Sequence, residues 1–289
     1  MKTRTMAAAL FIAVLATAGS VYGAWSSDPA VNNPIAATAV SETSNKMVYD
    51  GNGGYFIVWK ASNPVRVQRI DADGNLCWGA EGILVTDSGS YPKIASDAKG
   101  GCFVSWKSGH VYVQRYDAAG NEMWTPGGVI VCDSSLGADC AWMDADGTGG
   151  CFVSNYGGYA QKLSPSGALL WGDASNPAQW DADPTHNPSG ARVAHDGSGG
   201  AVFAWYDWNT SIVYVQRLNS SGVRQWNGGD PVALSDTGYD QCPRLLKSGN
   251  YFYVIWSADG GSDIAIQAQK ISMNGVPQWT HPDGVRVNN

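Results

Sequence analysis

The sequence predicts an all-β protein, a β-propeller of five blades with four antiparallel strands in each blade. The first observation is a 14-residue segment that occurs five times without a gap and ends each time in tryptophan. The second is a continuously apolar stretch before each copy, and the third is the lack of helical periodicity in the repeats. The five copies are residues 65–78, 111–124, 158–171, 213–226 and 266–279.

Each unit contains four candidate strands in a fixed order. The first is short and precedes an Asp-x-x-Gly-Gly turn, as residues 92–97 do before Gly100 and Gly101. The second is apolar at nearly every position, as in residues 102–106 and 201–205, which predicts burial on both faces. The third carries the Val-Tyr-Val-Gln-Arg pattern, and a turn that ends in glycine leads to a fourth strand that closes on the tryptophan.

The spacing of the tryptophans sets the number of blades. Successive copies end 46, 47, 55 and 53 residues apart, a period that suits a four-stranded blade; an open solenoid of stacked sheets is the alternative. The longer spacings hold insertions, chiefly residues 172–190. The predicted divisions are a signal peptide at 1–23, one propeller domain at 24–289 with units near 25–78, 79–124, 125–171, 172–226 and 227–279, and a closing segment at 280–289.

The two ends of the domain carry a similar short segment. Residues 25–33, WSSDPAVNN, resemble residues 279–289, WTHPDGVRVNN, so the domain begins and ends at the same phase of the repeat. A closed ring of five blades has a place for one such segment. Either the spare copy completes the first or the last blade and hides a sheet edge, or the chain forms part of a longer array.

The N-terminus has the pattern of a secretory signal peptide. Lys2 and Arg4 precede an apolar run from Met6 to Ala18, and small residues follow up to Gly23. Cleavage would remove two positive charges and take the formal net charge from −7 to −9. This acidity argues against nucleic acid as a partner, and the lack of another long apolar stretch argues against membrane insertion. We expect a protein that is secreted, periplasmic or held at the cell surface.

Six cysteines in an exported chain predict disulfides. Cys132 and Cys140 are separated by a short loop, and they are the pair that the sequence favours. Cys102 and Cys151 occupy the same place in consecutive repeats, where tyrosine or alanine stands in the other units. This interchange indicates small buried apolar side chains rather than bonded partners. No spacing of Cys and His matches a zinc site.

The Asp/Ser/Asn-x-x-Gly-x-x-x-Trp ending of each unit resembles the tryptophan-docking repeat of PQQ-like propellers. Those repeats carry Asp-x-x-Thr-Gly-x-x-x-Trp, whereas here the threonine is absent and the turn is one residue shorter, as at residues 117–120. The resemblance covers nearly the whole domain. It implies that each tryptophan packs on a neighbouring blade, and it does not imply the quinone. The chain also resembles uncharacterised secreted bacterial propeller-repeat proteins with "GG…W…QR…G…W" units, a likeness that implies no activity.

The most regular polar residues are interpreted as structural. Each third strand carries Gln-Arg or Gln-Lys, and we expect the glutamine to satisfy backbone groups and the arginine to lie on a tryptophan. The inner-strand carboxylates precede the Gly-Gly turns, so they are turn caps first and candidates for an acid/base pair second. These carboxylates are Asp50, Asp97, Asp146 and Asp196.

Calcium is a weaker alternative at one of the aspartate clusters. Asp144 and Asp146 begin the segment of residues 144–149, which resembles part of a calcium loop but lacks the remaining ligands of an EF-hand. The four histidines show no metal spacing and no partnership with a Ser or Cys nucleophile. No cofactor is predicted.

Departures from the repeat are the better pointers to function. The insertion after the third tryptophan and the second hairpin of the fourth unit bring aromatic residues beside Asp and His, which suits sugar binding because rings stack on sugar faces while polar groups bind hydroxyls. The alternative is that these loops pack on their own blades. The candidate binding residues are Trp180, Asp181, Asp183, His186, Tyr206 and Trp208.

These observations favour a non-catalytic binding module of the cell envelope or extracellular space, which recognises a glycan or a protein. One alternative is a scaffold that assembles protein partners. The other is a hydrolase that acts on polysaccharide, for which strongly shifted pKa values in a pocket would be the signature.

Overall fold

Five antiparallel sheets follow one another along the chain, and each sheet is one blade of a β-propeller, which confirms the predicted fold class. The structure is a computed structural model that describes residues 28, 30, 34–36, 41–136, 139–236, 241–259 and 264–288. The predicted signal peptide, residues 1–23, lies outside the described residues. Within the described part no helix is long and apolar enough to cross a membrane.

The first two blades each have four strands in sequence order. They are β1 (Glu42–Tyr49), β2 (Tyr55–Ala61), β3 (Val65–Ile70) and β4 (Ile83–Thr86), then β5 (Ser90–Ser96), β6 (Cys102–Ser108), β7 (His110–Tyr116) and β8 (Val129–Cys132). Blade three contains β9 (Cys140–Ala145), β10 (Cys151–Asn155), β11 (Tyr159–Leu163), β12 (Gly172–Asp173) and β13 (Asn176–Gln179). Its two last strands come from the insertion, so this blade is five-stranded.

The last two blades repeat the four-stranded pattern. They contain β14 (Pro188–His195), β15 (Ala201–Asp207), β16 (Val213–Leu218) and β17 (Val232–Ala233), then β18 (Gln241–Ser248), β19 (Tyr251–Asp259), β20 (Ile264–Ser272) and β21 (Val285–Arg286). The second strand is buried on both faces in blades two, three and four, as predicted, but only in part in blades one and five, where Ile255 is 43% exposed. Every residue from Ala201 to Asp207 is buried, because the blades on either side cover both faces of the sheet.

The fourth strand begins after the tryptophan and does not close on it, contrary to the sequence prediction. Between the turn glycine and Trp124 only a single bridge forms, Tyr116 with Glu122. The buried Gln114 side chain takes the place of further strand pairing. Its Oε1 accepts hydrogen bonds from the backbone N–H groups of Arg115 and Trp124, at 2.9 and 3.1 Å. The predicted role of the repeated glutamine in satisfying backbone groups is therefore confirmed.

The aspartate before each Gly-Gly turn caps that turn; Asp50, Asp97 and Asp196 are buried, and Asp146 is partly buried. Asp97 accepts hydrogen bonds from the backbone N–H groups of Lys99 and Gly101, both at 2.8 Å, and its other oxygen pairs with Arg115 at 2.8 Å. The Arg115 guanidinium lies over Phe103, 5.7 Å from the ring centre, rather than over a tryptophan as expected. The cap, the arginine and the aromatic ring join three strands of one blade.

Apolar cores lie between successive blades. One such cluster joins each adjacent pair from blades one and two to blades four and five. The described residues form no equivalent cluster between blade five and blade one. There, Met47 and Tyr49 of β1 and Leu246 of β18 are exposed.

The cysteines follow the sequence interpretation in part. Cys102 and Cys151 are fully buried free thiols, and burial raises the pKa of both, as expected of apolar filling residues. Cys132 is also buried. The side chain of its predicted partner, Cys140, lies outside the described residues, so that disulfide stays a prediction.

Candidate functional site

Four of the six residues that the sequence singled out lie where the insertion leads from blade three into blade four: Trp180, Asp181, Asp183 and His186. Tyr206 packs in the core between blades four and five, and Trp208 contacts its ring. Residues 181–187 lead from the insertion into β14, and residues 208–212 form the turn between β15 and β16. Two hydrogen bonds join these segments: Trp208 N donates to the carbonyl of Asn187 at 3.0 Å, and Asn209 Nδ2 donates to that of Thr185 at 2.7 Å. The two segments therefore lie together at one end of blade four.

Trp180 is part of the core, and the expectation that it presents an exposed ring is wrong. Its side chain is fully buried, stacked on Phe203 at 6.0 Å and packed 4.5 Å from the ring of Trp205. The indole N–H donates to the carbonyl of Tyr159 at 2.8 Å. The insertion carries this tryptophan back between two blades, so no ring face is left for a sugar.

Of the two aromatic residues in the second hairpin, one is accessible. Tyr206 is buried and contacts Trp208 edge-on, at 5.2 Å between ring centres. Trp208 is 56% exposed. The carboxylate of Asp207 between them accepts hydrogen bonds from the backbone N–H groups of Asn187 and Thr210, which fixes the turn. Trp208 therefore presents an exposed ring on the turn whose backbone bonds to Asn187.

Asp181 and His186 form a buried pair. Oδ2 of Asp181 lies 2.9 Å from Nδ1 of His186, and both side chains are shielded from solvent. The backbone N–H of Asp183 donates to the other oxygen of Asp181 at 3.1 Å. Burial raises the pKa of Asp181, and it outweighs the opposing effects of these hydrogen bonds and of the imidazole. A buried carboxylate at Nδ1 fixes the orientation of an imidazole ring.

Asp183 lies on the opposite side of the same ring and has the opposite electrostatic character. Its Oδ2 is 3.7 Å from Nε2 of His186, and its side chain is half exposed. Hydrogen bonds from the hydroxyl and backbone N–H of Thr185 lower the pKa of Asp183. His186 therefore lies between one carboxyl that holds its proton more strongly than usual and one that holds it less strongly.

A cleft of about 560 Å³ opens beside Asp183 and His186. The His186 ring packs against Tyr214, 4.7 Å between ring centres, and burial raises the pKa of that tyrosine. Arg224 and Asp230 complete the polar part of the wall. The cleft thus brings an imidazole, two carboxylates, a phenol and a guanidinium to one open surface.

Three of these groups were not predicted from the sequence. Tyr214 stands in the repeated third strand, Arg224 in the segment before the fourth tryptophan, and Asp230 in the loop after it. Repetition hid Tyr214, because tyrosine recurs at that place in Tyr112. Arg224 and Asp230 reach the cleft only because residues 181–187 fold over the outer part of blade four, which no local pattern indicates.

The innermost strands line a second cavity, of about 260 Å³, with Lys46, Lys93, Trp142 and Asp144 on its wall. Lysine or arginine stands at the same place in four of the five innermost strands: Lys46, Lys93, Arg192 and Arg244. Trp142 occupies the fifth place, and Arg192 lies over its ring at 4.4 Å. Burial raises the pKa of Asp144, which also accepts a hydrogen bond from the backbone of His195 at 2.8 Å.

This inner cavity offers one carboxylate and not a pair. The other inner-strand carboxylates, Asp50, Asp97, Asp146 and Asp196, are bonded to the N–H groups of their own turns. Among the described residues, a pair of carboxylates flanks His186, and no such pair lines this cavity.

Residues 144–149 do not gather as a calcium loop. Asp144 bonds to the backbone of blade four, while Asp146 accepts from the backbone N–H groups of Thr148, Gly149 and Gly150. In the part of the chain that the structure describes, no three His, Cys, Asp or Glu side chains are placed to hold a metal ion.

No protein-family model matches the chain, and no curated protein sequence matches it. The likeness to PQQ-like repeats therefore stays a resemblance of motif.

Several solved structures are similar. A protein of unknown function from Bacteroides caccae is 13% identical with a TM-score of 0.39, over 81% of this chain and 78% of that one. An endo-arabinanase from Bacillus licheniformis is 12% identical with a TM-score of 0.43, over 82% of this chain and 96% of the enzyme. An exo-β-1,3-galactanase from Phanerochaete chrysosporium is 13% identical with a TM-score of 0.39, over 92% of this chain and 53% of the enzyme.

These similarities correct one expectation. Several of the similar structures are glycoside hydrolases, so the non-catalytic binding module is not retained as the leading interpretation, and its hydrolase alternative takes that place. At 10–13% identity they concern the fold, and this chain spans only about half the length of some of these enzymes. A case for activity must come from the residues of blade four.

Proposed function

We propose that the protein hydrolyses a polysaccharide at the cleft of blade four, with His186 and Asp183 as the reacting groups. The observation that carries the proposal is the place of the His186 ring between two carboxyl groups whose pKa values are shifted in opposite directions. Titratable groups held apart in this way divide the acid and base roles of a hydrolysis between them.

The proton donor in this proposal is Nε2 of His186, which faces the cleft and Asp183. Asp181 is a positioning residue: it holds Nδ1 from behind and stabilises the imidazolium. The imidazolium gives its proton to the oxygen of the glycosidic bond as the bond from that oxygen to the anomeric carbon breaks. The leaving sugar then departs as a neutral alcohol.

The base is Asp183, which is ionised because hydrogen bonds from Thr185 favour its charged form. Asp183 lies only 3.7 Å from Nε2, on the same side of the sugar, so in this proposal water enters after the leaving sugar has departed. The carboxylate takes a proton from this water as its oxygen bonds to the anomeric carbon, and the proton returns to the imidazole at the end of the cycle. One water is consumed and one glycosidic bond is broken. Arg224 and Tyr214 offer hydrogen bonds to sugar hydroxyls along the cleft wall. Trp208 does not line the cleft, and its exposed ring on the neighbouring turn offers a stacking face to a substrate that extends beyond the cleft.

The proposed place of action is outside the cytoplasm, where polysaccharides of the cell wall or the surroundings are found. Its support is the signal-peptide pattern of residues 1–23. Fractionation of the producing cells, with the N-terminus of the purified protein sequenced, tests this part. An uncleaved protein in the cytoplasmic fraction would contradict it.

The test of activity is the release of reducing ends from a panel of soluble plant and bacterial polysaccharides. The wild-type protein is compared with Asp183→Asn, which keeps the side-chain shape and removes the base. We expect a loss of about 100-fold or more.

The chain supplies a matched control in Asp173. This residue bonds to the hydroxyl and backbone N–H of Ser175 at 2.7 and 2.9 Å, as Asp183 does to Thr185 at 2.7 and 2.9 Å. It also belongs to the insertion, but it does not line the cleft. Asp173→Asn should keep wild-type activity. Equal loss in both variants, or no reducing ends released from any polysaccharide by folded wild-type protein, would contradict the proposal.

A further inference from the structure

The tryptophan that ends each of the first four repeats docks on the next blade in the same way. Its indole N–H donates to a backbone carbonyl in the turn between the third strand and the bridge of that blade. The donors and acceptors are Trp78 and Ala118 at 3.2 Å, Trp124 and Pro165 at 3.0 Å, Trp171 and Ser220 at 3.0 Å, and Trp226 and Met273 at 3.1 Å.

The glycine of each turn makes room for the docked ring. A Cβ on Gly167 would lie 2.8 Å from the indole of Trp124, and one on Gly275 would lie 2.5 Å from that of Trp226. Both glycines have positive φ, 84° and 81°. We call this arrangement a tryptophan lock: the indole N–H bonds to the carbonyl of the turn, and the indole ring lies on the glycine of the same turn.

A simple order governs these locks. Trp78 of blade one docks on blade two, which begins with β5. Trp124 of blade two docks in the same way on blade three, which begins with β9. Each tryptophan thus fixes the blade that follows it in the sequence.

In the described part of the chain, one tryptophan has no turn to dock on, and one turn has no docked tryptophan. Trp279 is 38% exposed, and its indole N–H bonds to no described residue. On blade one, residues 71–74 form the same turn as residues 117–120, with Gly74 N donating to the Asp71 carbonyl at 3.1 Å. No described residue donates a hydrogen bond to the Ala72 carbonyl, which is the equivalent of Ala118.

Two described residues that precede blade one lie on the open face of that blade. Ile35 and Ala36 line a cavity of about 310 Å³ together with Ile57 and Trp59 of β2. The segment just before these residues is the spare copy of the repeat ending, residues 25–33, which begins with Trp25.

We propose that Trp25 docks on blade one, with its indole N–H bonded to the Ala72 carbonyl and its ring on Gly74. The spacing along the chain agrees with the four observed locks. Each docking tryptophan precedes the Lys, Arg or Trp142 position of the following innermost strand by 15, 18, 21 or 18 residues. Trp25 precedes Lys46, the same position of blade one, by 21 residues. The occupant of this surface is thus the N-terminal segment of the same chain. Trp279 stays exposed because Trp25 holds its acceptor.

The test compares Trp25→Ala and Trp279→Ala in the full chain, with Trp124→Ala as the reference for a lost lock. We expect Trp25→Ala to lower the melting temperature by about 10 °C, as Trp124→Ala does, and Trp279→Ala to change it by less than about 2 °C. If Trp279→Ala destabilises the protein as much as Trp124→Ala does, Trp279 of blade five docks on blade one and the proposal is overturned. If Trp25→Ala has no effect, the turn of blade one holds no tryptophan and the proposal is overturned as well.

If an alanine variant fails to fold, a second measurement tests the proposal on wild-type protein. In wild-type protein labelled with 5-fluorotryptophan, the signals of Trp25 and Trp279 are assigned from the conservative variants Trp25→Phe and Trp279→Phe. A water-soluble paramagnetic agent should broaden the signal of Trp279 and spare that of Trp25, as it spares buried Trp124. Equal broadening of Trp25 and Trp279 would overturn the proposal.

Discussion

Oδ2 of Asp181 lies 2.9 Å from Nδ1 of His186, and both side chains are buried beside an open cleft. The pair is costly for a fold to keep, because burial disfavours the charged form of the carboxyl. A repeat that serves packing alone needs no such pair. This relationship is therefore the starting point for the functional account.

The pKa shift of Asp181 predicts how its replacement depends on pH. Because the folded-state pKa is raised above the ordinary 3.8, the side chain favours folding below pH 3.8, and this contribution is lost as the pH rises through the raised value. Asp181→Asn removes the titration. The free energy of unfolding of Asp181→Asn, relative to that of wild type, should therefore be larger at pH 7 than at pH 4. Urea denaturation of both proteins at both pH values measures it. A difference that is constant or moves the other way would contradict the assigned shift.

Trp208 predicts an effect on substrate binding rather than on chemistry. The ring is largely exposed and lies on the turn that is hydrogen-bonded to the segment of residues 181–187. Trp208→Ala should raise KM by about tenfold and change kcat by less than about twofold, since a stacking contact is lost in ground and transition state alike. Trp279→Ala, at an exposed tryptophan of blade five, is the control and should leave KM unchanged. A fall in kcat alone would place Trp208 in a different role.

The repeated glutamine predicts a large loss of stability. Gln114→Met keeps the size of the side chain but leaves the N–H groups of Arg115 and Trp124 without their acceptor. The free energy of unfolding should fall by about 2–4 kcal/mol. Gln225 is exposed and bonds only to neighbouring carbonyls, so Gln225→Met should change it by less than about 0.5 kcal/mol. Similar small effects at both positions would show that water replaces the buried amide.

Two glycines separate the steric and the conformational parts of the tryptophan lock. Gly120 and Gly109 both have positive φ, 88° and 71°, but a Cβ on Gly120 would lie 2.4 Å from Ile83 and 3.2 Å from Trp78, whereas one on Gly109 meets nothing within 4 Å. Gly109→Ala should cost about 1 kcal/mol of stability and Gly120→Ala about 3 kcal/mol, measured by chemical denaturation. Equal losses would mean that the docked ring yields freely.

Much of the architecture was predictable, because repetition averages out local ambiguity. Five copies of Gln, turn glycine and tryptophan at fixed spacing fix the blade, and the buried second strand follows from its apolar run. The position of the fourth strand was not predictable from this pattern. The Gln114 side chain replaces strand pairing before Trp124, and side-chain substitution of that kind leaves no periodic signal.

The site was predictable only in its neighbourhood. Departures from the repeat located residues 180–187 and 206–209, but composition could not distinguish Trp180, which packs between blades, from Trp208, which lies at the surface. Arg224 and Tyr214 join the cleft through the path of the insertion, a long-range consequence of the fold. The pairing of Asp181 with His186 spans five residues in a loop, where no helix or strand geometry fixes which side chains meet.

The most direct measurement of the central claim is the rate of reducing-end release by His186→Gln relative to His110→Gln. His110 also pairs with a carboxylate, Asp133 at 3.2 Å, but on blade two and away from the cleft. The account predicts that His186→Gln loses activity by about 100-fold or more while His110→Gln keeps the wild-type rate. Wild-type activity in folded His186→Gln, or an equal loss in both variants, would contradict the hydrolase and return the pair to a structural role.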